Sequence, residues 1–170
     1  MTSRLELRHR YPEPPERMRE VLTDPGYLAD KVRAVGGPQA ELISREEAGD
    51  GVTIVLRQMV PASALPSFVR SVLPGDLSIR RTETWNNTGG TVHSAVDGAP
   101  GVINGKMRLE PDPGGSVLSL QLEATVPLPL IGGKVEKAIT NSVSKLMDAE
   151  YDFTMRWLRD PETPDSSQTS

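Results

Sequence analysis

The chain has 170 residues, which is the length of one domain. It contains no Cys and only two His, so disulfide scaffolds, Cys-ligated zinc or iron–sulfur sites and Cys nucleophiles are excluded, and a His-rich metal site is disfavoured. Its 19 basic and 23 acidic side chains give a net charge of −4 without a basic stripe, so nucleic acid is not expected as a partner. We predict neither a bound metal nor a cofactor.

The N-terminal third of the chain predicts one strand and two short helices. Over residues 4–11 the charged side chains alternate with Leu5, Leu7, His9 and Tyr11, a period of two that is typical of a strand with one covered face. Proline residues end this strand and suit the first turn of a helix. Helices are predicted over residues 16–22 and 26–35, where apolar positions share one side.

A series of six strands follows the two helices. Glycine and proline turns separate apolar–polar alternating segments, which is the pattern of an antiparallel meander. The predicted strands cover residues 40–46, 52–60, 77–85, 91–97, 102–110 and 116–126. The apolar residues 61–74 interrupt this series with a helical turn over 65–73, and they predict either a mobile lid over an internal groove or a fixed plug.

The C-terminal part predicts one long helix over residues 134–158. Its apolar stripe has the 3/4 spacing of a helix face. The stripe consists of Val135, Ile139, Ser142, Val143, Leu146, Ala149, Phe153 and Trp157. Such a helix is about 37 Å long, enough to cross a whole sheet. The domain therefore covers residues 1–159, and the composition of residues 160–170 predicts a disordered acidic tail.

The sequence carries no recognisable targeting or membrane segment. The first ten residues are charged and lack the apolar region of a signal peptide. No run of about 18 apolar residues is present, so no transmembrane segment is predicted. We expect a cytoplasmic location, and the oligomeric state stays open.

Several segments carry a family resemblance. Residues 14–25 and 126–137 are similar to the first helix and to the beginning of the last helix in the START-like superfamily (SRPBCC, helix-grip or birch-pollen-allergen-like). Residues 83–85, 98–101 and 157–158 look like an uncharacterised, mainly actinobacterial branch of it. The resemblance covers residues 3–159. It implies an α+β fold in which a curved seven-stranded antiparallel sheet grips a long C-terminal helix, with two short helices between strands 1 and 2, around a cavity for an apolar ligand.

Strand parity predicts which polar residues face that cavity. If Leu77 and Ile79 face inward, then Arg81, Glu83 and Trp85 do so as well. Likewise Gln58 follows the inward Ile54 and Leu56, and His9 follows Leu5 and Leu7. A buried charge is costly, so Arg81 and Glu83 are expected to pair or to reach water. This polar set predicts either a structural ion pair, or a group that orients a ligand, or a Glu83 with a raised pKa acting as acid or base.

Three functions are compatible with this pattern. The leading hypothesis is binding of a small hydrophobic molecule such as a lipid, polyketide or isoprenoid, without catalysis. An enzyme of the cyclase or hydratase kind would need a buried Glu83 or His9 that lacks an ion-pair partner, and an interaction module would have a filled core. The candidate ligand-binding residues face the predicted groove. They are His9, Tyr11, Ile54, Leu56, Gln58, Leu65, Phe68, Ile79, Arg81, Glu83, Trp85, Met107, Leu120, Ile139, Val143 and Leu146.

Overall fold

The fold is described from a computed structural model, which covers residues 2–37, 39–73 and 75–159. Seven strands and four α-helices follow one another in the predicted order. The strands are β1 (Ser3–Tyr11), β2 (Glu41–Ala48), β3 (Gly51–Val60), β4 (Leu77–Trp85), β5 (Gly89–Val96), β6 (Val102–Asp112) and β7 (Gly115–Thr125). The helices are α1 (Pro15–Leu22), α2 (Pro25–Val35), α3 (Ser67–Val72) and α4 (Gly132–Arg159), with a 3₁₀ turn at Ala62–Ala64. The predicted acidic tail lies outside the described residues.

All seven strands form one open antiparallel sheet in the order β1-β7-β6-β5-β4-β3-β2. From β2 to β7 each strand pairs with the next along the chain. Short turns join these strands except for β3 and β4, which are joined by a longer segment that contains α3, and β1 pairs with β7. The register places Leu56 of β3 opposite Arg81 of β4, and Arg81 opposite Ser94 of β5. Inward-facing positions of neighbouring strands are therefore aligned, as the alternating pattern predicted.

The two short helices begin and end where local signals place them. Both start with a proline at the first helical position, where the missing N–H is not needed. The side chain of Asp24 accepts a hydrogen bond from the Tyr27 N–H at 2.9 Å and caps α2, which ends at Gly36. These helices bury Met18, Tyr27 and Leu28 and close one end of the interior.

Helix α4 lies against the sheet and contacts β1, β7 and α2. The predicted stripe is only partly right, because the most buried α4 side chains include Glu150 and Thr154. Phe153 and Trp157 are half-buried instead, and their rings lie 5.8 and 5.5 Å from the ring of Tyr27 in α2. The apolar period located the helix but not its three buried polar positions, which are Glu136, Glu150 and Thr154. Among the described residues, no helix combines the length and the apolar character that a membrane crossing requires.

The segment between β3 and β4 closes the other end of the interior. Leu65, Val69 and Leu73 are buried there, in a cluster that includes Val126 and Val135. This packing shows where the segment docks, and the prediction that it moves as a lid stays untested.

Candidate functional site

The space between the sheet and α4 is not filled. A main cavity of about 280 Å³ lies next to two smaller ones of about 50 Å³ each. The three share walls: Gln58 and Ser94 border the main and second cavities, and Arg81 and Glu83 border the second and third. The interior therefore runs from an apolar space at one end to a charged one at the other.

Aliphatic side chains form most of the wall of the main cavity. They come from strands β3 to β6, from α4, from the end of α2 and from the segment that precedes α3. The apolar side chains in its wall are Val35, Met59, Val60, Ala64, Leu65, Leu77, Ile79, Ala95, Val96, Val102, Ile103, Ile139, Val143 and Leu146. The scarcity of large rings in this list is consistent with the incomplete filling of the space.

Two polar side chains in this wall are buried without a protein partner. Gln58 is 4% exposed and Ser94 is 6% exposed. Neither side chain forms a hydrogen bond to the part of the chain that the structure describes. They stand on either side of β4, which places their Cα atoms on the order of 10 Å apart. Buried polar groups are normally satisfied, so this pair is available to a molecule in the cavity.

A buried cluster of four charges occupies the other end. Arg81 donates to Glu83 through Nε at 2.8 Å, and its two terminal nitrogens donate to both oxygens of Glu150 at 2.8 and 2.9 Å. The Nζ atom of Lys31 lies 3.0 Å from Glu150 Oε1. Trp85 donates its indole N–H to Glu83 at 3.0 Å. The cluster joins β4, α2 and α4, and its formal charges cancel.

The pKa values follow from this arrangement. Burial alone would raise the carboxyl pKa values, but Arg81 and Lys31 outweigh it and hold the pKa of Glu150 at about 2. The same two cations keep the pKa of Glu83 below its ordinary value in spite of burial. Both carboxylates are therefore ionised at neutral pH, and the pKa of Arg81 is raised beside them.

His9 and Tyr11 border the third cavity, together with the charged cluster. The His9 ring stacks on Tyr151 with centroids 4.7 Å apart, and its Nε2 atom lies 3.8 Å from Asp148 Oδ1. Burial lowers the pKa of His9, although Asp148 and Glu150 oppose this effect. The third cavity has a smaller volume than the main one, and neither His9 nor Tyr11 borders the main cavity.

The structure brings most of the predicted site residues to the walls of the cavities and leaves three away from them. Ile54 and Leu56 are fully buried in a packed cluster that also contains residues of α1 and α2, and Phe68 is 40% exposed on α3. None of these three borders the three internal cavities. The others do, namely His9, Tyr11, Gln58, Leu65, Ile79, Arg81, Glu83, Trp85, Met107, Leu120, Ile139, Val143 and Leu146. Their roles in ligand binding remain predictions.

Several polar residues of the cavity walls were not among the predicted ones, including Ser94, Lys31, Lys145 and Glu150. Ser94 could have been found, because it lies two positions from both Val92 and Val96 and therefore faces inward with them on β5. Lys31, Lys145 and Glu150 lie on helices. Charged residues there are usually solvated, and the sequence gives no sign that these three border the cavities.

Comparison with known proteins now decides the family. Residues 6–158 match the family described as protein of unknown function DUF2505. The chain belongs to this family. A relative is the uncharacterized protein Rv0481c of Mycobacterium tuberculosis strain ATCC 25618 / H37Rv, which is 40% identical over 122 residues, with 66% of this chain and 70% of the relative covered.

Solved structures confirm the predicted helix-grip fold for this DUF2505 chain. The di-domain ARO/CYC protein StfQ of the steffimycin biosynthetic pathway superposes with a TM-score of 0.65 at 10% identity, over 95% of this chain and 52% of StfQ. Ara h 8.0201 superposes with a TM-score of 0.55 at 14% identity, over 92% of this chain and 99% of that protein. Identities this low show the fold and leave the function open.

Proposed function

We propose that this protein binds a small, mainly apolar molecule in the main cavity, with Gln58 and Ser94 as its hydrogen-bonding partners. The observation that carries the proposal is the pair of buried, unpartnered polar side chains in an otherwise aliphatic wall. An apolar pocket with a few convergent polar groups is the usual form of a ligand site. The predicted alternative of a filled core loses support, because the space is open.

The volume limits the size of the ligand. Ligand pockets commonly measure about 300–1,000 Å³, and a dry apolar cavity of about 150 Å³ holds a molecule the size of benzene. A cavity of about 280 Å³ therefore suits roughly a dozen non-hydrogen atoms. Burying on the order of 200 Å² of apolar ligand surface contributes about 5 kcal/mol before the costs of association.

Catalysis has less support than binding. An acid–base mechanism needs a titratable group that is free to exchange a proton, whereas Glu83 is held ionised by Arg81 and accepts the Trp85 N–H. The similarity to StfQ, an ARO/CYC protein, keeps a cyclase-type reaction as the alternative. In that case His9 is the remaining buried titratable group whose ring nitrogen lacks a hydrogen bond within the described chain.

The test is native mass spectrometry of the protein purified from its own host, combined with a cavity-filling variant. Val143 borders both the main and the second cavity, so Val143→Phe places a ring in the empty space. Val55→Phe is the matched control, since Val55 is half-buried on the opposite face of β3. We expect an apolar molecule to co-purify with the wild type and with Val55→Phe and to be absent from Val143→Phe. A protein that is ligand-free in all three forms, and that takes up no added apolar compound, would contradict the proposal.

A further inference from the structure

The wall of the main cavity contains a single charged side chain among the described residues, that of Lys145 in α4. Lys145 is exposed as well as bordering the cavity, so its side chain is accessible to solvent at the cavity wall. It borders the main cavity only, whereas Gln58 and Ser94 also border the second, inner cavity. The site therefore has a cationic outer end, an aliphatic middle and a neutral polar inner end.

This cation has no partner among residues 2–37, 39–73 and 75–159. Lys145 forms no ion pair and no hydrogen bond with the residues that the structure describes. None of the described carboxylates borders the main cavity. The next acidic residue of α4, Asp148, lies one turn further on and close to the ring of His9. A positive charge at the rim of an apolar cavity without a carboxylate attracts an anionic group.

The inner end excludes a second negative charge. The nearest internal cation, Arg81, is already engaged by Glu83 and by both oxygens of Glu150. An anion placed beside Gln58 and Ser94 would thus be desolvated without a free counter-charge, which is costly. A neutral hydroxyl or carbonyl group at that end could instead exchange hydrogen bonds with the two side chains.

We propose that the ligand is an amphipathic anion, and specifically a medium-sized carboxylic acid with a hydroxyl or oxo group at its far end. This inference rests on the proposed function and names its substrate class. The carboxylate stays partly hydrated beside Lys145, so it avoids most of the desolvation cost. The hydrocarbon body lies along Ile79, Val143 and Leu146, and the far polar group meets Gln58 and Ser94.

Isothermal titration calorimetry with four compounds of about a dozen non-hydrogen atoms tests the inference. The compounds are decanoate, decanamide, decan-1-ol and 10-hydroxydecanoate. We expect decanoate to bind about three- to tenfold tighter than decanamide at low salt, and this ratio to shrink at high salt, because the charge pair is at the surface. The 10-hydroxydecanoate ion is expected to bind tighter than decanoate.

Variants of exposed lysines on α4 provide the matched comparison. Lys145→Met is expected to remove the preference for the acid over the amide, and Lys145→Gln to do the same with a polar side chain. Lys134→Met is the control, since Lys134 is exposed on the same helix but does not border the cavity. Its preference for the acid is expected to equal that of the wild type.

The outcomes separate the two proposals. If the wild type binds acid and amide equally well, or if Lys145→Met keeps the preference for the acid, the anion inference is wrong while ligand binding stands. If wild type and Val143→Phe are alike in binding none of the four compounds, both the anion inference and the proposed function are contradicted.

Discussion

The buried polar side chains at the two ends of the interior differ in whether they are bonded to other described residues of the protein. At the charged end, Arg81 and Glu83 are buried and bonded to protein partners on three elements. At the cavity end, Gln58 and Ser94 are equally buried and bonded to none of the described residues. Arg81 and Glu83 lie on β4, and Gln58 and Ser94 lie on the strands on either side of it, all at inward-facing positions of one sheet.

This contrast indicates which buried polar groups stabilise the fold and which are available to bind a ligand. A buried polar group that is satisfied within the protein costs a large amount of free energy when its partner is removed. A buried polar group that faces empty space contributes little to folding, and a bound molecule can satisfy it. The stability of variants should therefore depend on the charged end, and ligand affinity on the cavity end.

The largest expected effect is that of Glu150→Gln. This change keeps the shape of the side chain but leaves Arg81 and Lys31 with the single counter-charge of Glu83. We expect the free energy of unfolding to fall by about 3–5 kcal/mol in urea titrations. Asp148→Asn is the control on the same helix, because the Asp148 side chain is 69% exposed, and it should change stability by less than about 0.5 kcal/mol. A loss below about 1 kcal/mol for Glu150→Gln would show that the cluster does not hold the elements together.

Lowering the pH should reproduce part of this loss of stability in the wild type. The pKa of Glu150 is lowered from 4.5 to about 2, so its contribution is fully present above pH 4.5 and disappears as the pH falls towards 2. The shift corresponds to about 3 kcal/mol, and Glu83 acts in the same direction. Urea unfolding between pH 6 and 2 measures the slope. In Glu150→Gln the slope should be smaller, and equal slopes would contradict the assignment.

Tyr27→Phe should have an intermediate effect. The Thr154 hydroxyl donates to the Glu150 carbonyl, so the Tyr27 hydroxyl is the donor in its 2.5 Å hydrogen bond to Thr154. Removing this buried bond should cost about 1 kcal/mol, measured by urea titration. Tyr151→Phe is the comparison, because its hydroxyl donates to the Arg10 carbonyl at an exposed site, and it should cost less. The reverse order would mean that the buried bond does not contribute as its geometry suggests.

Gln58→Leu should have the smallest effect on stability. The amide has no partner among the described residues, so an isosteric apolar side chain should leave the free energy of unfolding within about 1 kcal/mol of the wild type. In contrast, affinity for 10-hydroxydecanoate should fall in calorimetry. A loss of stability above about 2 kcal/mol would place Gln58 with the charged end, as a structural group.

The sequence predicted the part of the site that depends on strand parity. The inward positions of Arg81, Glu83 and Trp85 followed from their strand parity with Leu77 and Ile79. The cost of burying charge predicted that Arg81 and Glu83 pair or reach water, and the structure shows them paired. The partners on the helices could not be predicted. Glu150 and Lys31 reach the cluster only after α4 and α2 pack on the sheet, and a local pattern does not contain that distance.

Phe68 shows the limit of this reasoning where the sequence has no regular spacing of apolar residues to indicate a buried face. Residues 61–74 are rich in apolar side chains, so the composition predicted contact with the groove but not which side chain makes it. The turn at Ala62–Ala64 and the short helix α3 direct Leu65 and Val69 inward and leave Phe68 exposed. Tertiary docking of a short helix decided this orientation.

The empty space beneath α4 also sets how the protein responds to compression. Unfolding eliminates internal voids, so a chain that contains a cavity of about 280 Å³ occupies a smaller volume when unfolded, and hydrostatic pressure favours that state. A molecule that fills the cavity removes most of this volume difference. The empty protein should therefore unfold at lower pressure than the occupied one.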